Sequence, residues 1–156
     1  MKVLTLTILS LLLCSRISAQ QKKSVNWITF EQLSDSLQIK PKKVLLFFHT
    51  EWCAYCRKMQ NEVFTNPQVI NDINERYYAV SFDAESTDSI YFEGHLLKNA
   101  SNKKRVGHNH DIATLLARKD AKFIFPTTII LHADFSVQKR YFTYLGPKAI
   151  SQILTR

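Results

Sequence analysis

The chain has 156 residues, of which 21 are Lys or Arg and 13 Asp or Glu, for a formal charge of +8. That length suits one domain able to bury a sizeable core. Three glycines leave no glycine-rich phosphate loop and no collagen-like repeat, and three cysteines are too few for a disulfide-stapled mini-protein. Charged residues at 22% and aromatics at 12% are globular values and exclude global disorder.

Met1 and Lys2 form a short basic start, and residues 3–13 are apolar except for Thr5, Thr7 and Ser10. This run is too short to span a bilayer, which takes about 20 apolar residues. It has the form of a signal peptide, residues 1–19, with cleavage after Ala19. The expected location is therefore periplasmic or extracellular. Leu13 precedes Cys14 where a lipoprotein signal has a small residue, so lipid attachment at Cys14 is not expected. Removal of residues 1–19 takes two cations, no acid and one cysteine, leaving a charge of +6 and two cysteines.

Residues 20–25 read as a flexible lead-in. Trp27, Phe30, Leu33 and Leu37 recur at helical spacing, and Pro41 stops that helix. Residues 44–48 are continuously apolar, as in a strand buried on both faces. A turn follows, then a helix from Cys53 that buries Met59, Val63 and Phe64. Pro67 opens a short helix over residues 68–76, and residues 77–82 read as a second strand. Residues 84–110 are polar, with apolar islands at Ile90, Tyr91, Phe92, Leu96 and Leu97 and a basic triplet at Lys103, Lys104 and Arg105. Residues 111–119 have a helical pattern. Strands at 127–131 and 137–142 imply an antiparallel hairpin, and Gly146-Pro147 starts a last helix carrying Ile150, Ile153 and Leu154. The alternation predicts an α/β fold with a mainly parallel sheet, an antiparallel edge, and helices on both faces.

Cys53-Ala54-Tyr55-Cys56 stands where the first strand ends and a helix begins. Residues three apart on a helix are neighbours, so their sulfurs can close a disulfide. A helix start and the adjacent Arg57 and Lys58 favour thiolate over thiol. Cys53 is the expected nucleophile and Cys56 the resolving thiol. Two other readings of the motif stay open. Half of a zinc site would need two more ligands, for which His95, His108 and His110 are the candidates. An inert structural disulfide closing so short a loop would contribute little stability.

The segment Phe47-Phe48-His49-Thr50-Glu51-Trp52-Cys53-Ala54-Tyr55-Cys56-Arg57-Lys58-Met59 resembles the active-site segment of thioredoxin-fold proteins. Phe125-Pro126-Thr127-Thr128-Ile129-Ile130-Leu131 is similar to the same family's cis-proline strand, and exported bacterial members are the nearest in pattern. The resemblance implies a thioredoxin-like fold over residues 20–156, a central mixed sheet flanked by helices, and an insertion at 84–110 before the helix that precedes the cis-proline strand. It implies a redox-active Cys53–Cys56 disulfide and a cis Pro126 beside it. It also implies supporting roles for Trp52 and Glu51, and substrate contacts at Phe125, Tyr55 and Ala54.

The sequence departs from thioredoxin in four places. Phe47 stands where thioredoxins carry a buried acid, and Glu51 or a water is a candidate substitute for moving the resolving proton. Ala54-Tyr55 between the cysteines retunes the potential. His49 is a candidate proton carrier near neutral pH. The chain between Cys56 and Pro126 is 69 residues long, more than the family pattern, with the excess at 84–110. Tyr91, Phe92 and His95 are that segment's candidate partner contacts, against the reading of a solvated decoration.

The expected function is thiol–disulfide oxidoreduction on protein thiols and disulfides, in a monomer without cofactor, metal or nucleic acid. A reductase direction would need a membrane electron-transfer partner. The alternative is a thioredoxin-like peptide-binding module without turnover.

Overall fold

A computed structural model describes residues 24–155. The expected signal peptide, Cys14 and most of the lead-in lie outside the described residues. Thr29 caps the first helix, α1 (Phe30–Ile39), with a capping box: its hydroxyl accepts from Gln32 N and the Gln32 side chain accepts from Thr29 N. Trp27, expected inside that helix, instead lies in an extended lead-in bridged to Ala79. A cap that satisfies two orphan amides outweighs one apolar residue in register. Val25, expected to be flexible, is buried in the core.

Strand β1 (Lys43–His49) is central and is buried from Val44 to Phe48. The helix after it is α2 (Ala54–Lys58), which continues as a π-helical turn over Met59–Val63. Asn66 caps α3 (Pro67–Arg76), with Pro67 in its first turn. Strand β2 (Tyr77–Asp83) pairs parallel with β1, Phe47 opposite Ser81 and His49 opposite Asp83. The chain then forms a hairpin, β3 (Ile90–Phe92) and β4 (His95–Leu97), followed by α4 (Asp111–Leu116). A second small hairpin, β5 (Arg118–Lys119) and β6 (Lys122–Phe123), precedes β7 (Thr127–Leu131), β8 (Val137–Tyr141) and α5 (Pro147–Leu154).

The main sheet has the order β2-β1-β7-β8. Only β1·β2 is parallel; β1·β7 and β7·β8 are antiparallel. The expectation of a mainly parallel sheet is therefore corrected to a mixed one. Continuous apolar runs report burial on both faces and say nothing of the neighbour's direction. The expected helix over residues 111–119 is also shortened. It ends at Leu116, and residues 118–123 turn back through Asp120 (φ 49°) and Ala121 (φ 65°). Such a turn ordinarily announces itself with glycine or asparagine, and neither is present. The β3–β4 turn does carry that signal, at Glu93 and Gly94, both at positive φ.

The sheet separates two apolar layers. On one face Leu45, Phe47 and Ile130 pack with Cys56, Met59, Val63, Ile73, Ile150 and Leu154 from α2, α3 and α5. On the other face Val44, Leu46, Phe48 and Ile129 pack with Phe30, Leu33, Ile90 and Ile112 from α1, β3 and α4. Alternation along β1 thus assigns Phe47 and His49 to the cysteine layer and Phe48 to the opposite one.

Candidate active site

The buried β1 delivers the chain to a turn in which Cys53 N donates to Thr50 O at 3.3 Å. Cys53 is the N-cap of α2, in extended geometry, and its sulfur accepts from Cys56 N at 3.1 Å. Cys53 and Cys56 are joined in a disulfide with Cα atoms 5.2 Å apart. Cys53 is 5% exposed and Cys56 0%, so the first sulfur lies nearer the surface and the second under the helix. The Arg57 guanidinium donates to Glu51 O at 2.5 Å and holds the turn against the helix.

Aromatic rings frame this corner. Trp52 is 54% exposed and meets Phe125 edge-on, with centroids 6.3 Å apart. The Phe125–Pro126 peptide bond is cis, Pro126 is buried, and the Thr127 hydroxyl donates to Ile124 O across that turn. Tyr55 is exposed and sits 6.1 Å from Tyr144, over which Lys58 places its ammonium at 5.2 Å. Ala54 is exposed beside it. Two chain segments thus meet at this corner: the Cys53–Cys56 turn carrying Trp52 and Tyr55, and the cis Phe125–Pro126 turn that reaches it through the Trp52–Phe125 contact.

Phe47 is fully buried, 4.9 Å from the ring of Phe64 and 5.5 Å from that of His49. The position of the resembled family's acid is therefore apolar. Glu51 does not replace it. Its side chain is 77% exposed and pairs with Lys104 Nζ at 2.6 Å, on the surface. His49 is held below the usual imidazole range, chiefly by burial, with Lys104 pushing the same way and Asp83 and Glu51 opposing.

Two residues that the sequence reading did not single out individually complete the site. Glu85 is 2% exposed, and its carboxylate accepts from the Trp52 indole N–H at 3.0 and 3.1 Å and from Gly107 N at 2.6 Å. Lys104 pairs with both Glu51 and Asp83. The two ends of segment 84–110 are therefore clasped to the active-site turn. The available signals were a carboxylate directly after a strand and the basic triplet itself; what they bond to depends on how the segment folds back.

The middle of that segment goes elsewhere. Phe92 packs on Phe30 (5.3 Å) and Phe135 (5.1 Å), and Ser34 donates to Glu93 at 2.7 Å. The β3–β4 hairpin thus covers α1 on the layer opposite the cysteines. Tyr91, Phe92 and His95, expected as partner contacts, are not brought to the disulfide; Phe92 is half-buried against the opposite core layer and the other two are exposed. The expected decoration is likewise built in. Buried Asn99 donates to Ser86 O at 3.1 Å and to His108 O at 2.7 Å. His110 is fully buried, accepts from Ile112 N at 3.2 Å as the cap of α4, and lies 3.0 Å from Asp88 O. Its nitrogens are thereby used. Among the described residues no cluster of three His, Cys, Asp or Glu side chains suits a metal ion. None of their helices is long and apolar enough to cross a membrane.

A model of the thioredoxin-like domain matches residues 30–156. The chain belongs to this thioredoxin-like family. Solved structures agree on the thioredoxin-like fold. A structure described as DsbH oxidoreductase aligns with a TM-score of 0.58 at 18% identity, covering 91% of this chain and 94% of the other. A thioredoxin from Thermus thermophilus aligns at 0.60 and 18%, covering 85% of each chain. The oxidised C-terminal domain of DsbD from Neisseria meningitidis aligns at 0.53 and 16%, covering 80% of this chain and 89% of that one. No curated protein matches in sequence. A thioredoxin-like fold with its Cys-x-x-Cys pair in a disulfide supports thiol–disulfide oxidoreduction in general.

Proposed function

We propose that the protein is a thiol–disulfide oxidoreductase acting on protein substrates outside the cytoplasm. The observation that carries this reading is the asymmetric disulfide at the helix start: Cys53 as the N-cap of α2, next to the exposed Trp52 and 5% exposed, and Cys56 one turn in and fully buried. In the reducing direction the Cys53 thiolate attacks one sulfur of a substrate disulfide. That S–S bond breaks, one substrate thiolate leaves, and a mixed disulfide forms. The Cys56 thiolate then attacks Cys53 Sγ, the second substrate thiolate leaves, and the protein disulfide closes. Two electrons pass to the substrate, and two protons follow to its thiols. Oxidation of a substrate dithiol runs the same steps backwards. The apolar Phe47 leaves proton removal from Cys56 to another group; His49, two residues on and so on the same face of β1, is the titratable side chain at the active-site end of that strand.

The export half of the reading is supported by the basic start and apolar run of residues 1–13. In the reductase direction the electrons would be supplied by a membrane partner.

Cys53→Ala is expected to abolish disulfide reduction in an insulin turbidity assay. Cys56→Ala is expected to accumulate mixed disulfides visible on non-reducing gels. Reduction surviving Cys53→Ala would refute the assignment, and binding to partners unaffected by either change would favour a peptide-binding module. The potential of the pair decides direction: a value near thioredoxin's, about −270 mV, marks a reductant, and one near −120 mV an oxidant. Cell fractionation, with the N-terminal residue read by mass spectrometry, tests export and cleavage after Ala19.

A further inference from the structure

Segment 84–110 brings two opposite charges to the residues just before Cys53. Lys104 pairs with Glu51, two residues ahead of that cysteine, and with Asp83 at the end of β2. Glu85 accepts from the indole N–H of Trp52, the residue next to the cysteine, and from Gly107 N. The two charges are shielded differently. Glu85 is 2% exposed and, among the described residues, has no ion pair, whereas the Lys104 side chain is 36% exposed. Both of the N–H donors at Glu85 can be met by the single carbonyl oxygen of a glutamine, which has two lone pairs. Holding the segment in place therefore does not by itself call for a buried charge, which is costly to desolvate. Other charged groups surround the same turn. Arg57 donates to Glu51 O, Lys58 lies over the Tyr144 ring, and His49 stands opposite Asp83 in the β1·β2 register. Phe125 and Pro126, which reach the turn from the other side, bring no charge.

We propose that Glu85 and Lys104 are positioning residues of opposite sign for the nucleophile: acting through Trp52 and Glu51, they hold a buried negative and a partly exposed positive charge beside Cys53 and so tune how readily its thiolate forms. This rests on the oxidoreductase reading and adds to it the residues that set the reactivity of its nucleophile. The anion opposes the thiolate and the cation favours it. A unit charge about 10 Å from a sulfur, in surroundings between water and protein interior, changes the balance of thiolate to thiol by a factor of about three. Segment 84–110 thereby supplies charge to a site where Phe47 supplies none.

The signs of the two charges separate tuning from mechanical support. The full chain is reduced, and alkylation of Cys53 by iodoacetamide is followed from about pH 5 to 10, with the modified site read by peptide mass spectrometry. Lys104→Met is expected to move the midpoint of the pH profile up by about half a pH unit, and Glu85→Gln to move it down by about as much. Lys104→Arg keeps the charge and is expected to restore the parent profile. Lys104→Met and Glu85→Gln both loosen the hold on the active-site turn, so a merely structural role moves both midpoints the same way or moves neither. Either result overturns the proposal, as does a Lys104→Arg profile that follows Lys104→Met. Insulin reduction by the same proteins is scored alongside. Opposite shifts in a parent chain that reduces no disulfide refute the oxidoreductase reading and leave the tuning standing. Normal insulin reduction without opposite shifts refutes the tuning and leaves that reading intact.

Discussion

Glu85→Ala tests whether segment 84–110 is part of the site or an appendage to it. The carboxylate is almost wholly buried and receives two donors, the Trp52 indole N–H and Gly107 N–H. Hydrogen bonds to a charged group contribute about 1.5–3 kcal/mol each. The indole is half exposed and regains water when its acceptor is lost, so its bond belongs at the lower end. Gly107 N loses a short, 2.6 Å contact. The sum is about 3 kcal/mol, which for a chain of this size lowers the thermal midpoint by about 6–12 °C. Glu85→Gln keeps one carbonyl acceptor without the charge and is expected to fall between the two. The assay is thermal unfolding by circular dichroism, with Trp52 emission recorded in a Trp27→Phe background. Release of the indole should shift that emission before unfolding begins. A midpoint within about 1 °C of the parent, together with unchanged Trp52 emission, would refute the clasp.

Two further outcomes follow from the same geometry. His49 has its pKa lowered from 6.5 by burial, so the unfolded chain binds its proton first as pH falls. Its contribution is complete above about pH 6.5 and is lost as pH drops from there through the lowered folded value. Urea midpoints between pH 5 and 8 should therefore decline towards acid, and His49→Gln should flatten that part of the curve; an unchanged slope counts against a buried, neutral His49. Thr29→Ala removes the acceptor half of the α1 capping box and is expected to cost about 1 kcal/mol in urea unfolding, with a loss below about 0.3 kcal/mol counting against the cap.

The active-site corner was legible because its signals are local. A continuous apolar run ending in a turn, a cysteine at a helix cap and its partner three residues on are all set by covalent spacing and helix geometry. Pro126 was legible through the resemblance of residues 125–131 to the thioredoxin-fold cis-proline strand. Segment 84–110 was less so. Polar residues carry no periodicity, so Glu85, Asn99, Lys104 and His110 read as solvated side chains until the fold shows each bonded to something distant in sequence. Trp27 and residues 117–119 misled for a different reason: apolar spacing was followed past the point where a cap or a turn had ended the helix.

The sequence alone determined where the cysteine pair stands, the α/β class and the buried first strand, because burial pattern and three-residue spacing are properties of neighbours in the chain. Tertiary structure alone decided the antiparallel run of β7, the Lys104 and Glu85 clasps, and the aromatic contacts from Trp52 through Phe125 to Phe123. Each of these joins residues far apart in sequence. A side chain's partner across such a gap is chosen by which surfaces pack together, and composition and periodicity do not encode that choice locally.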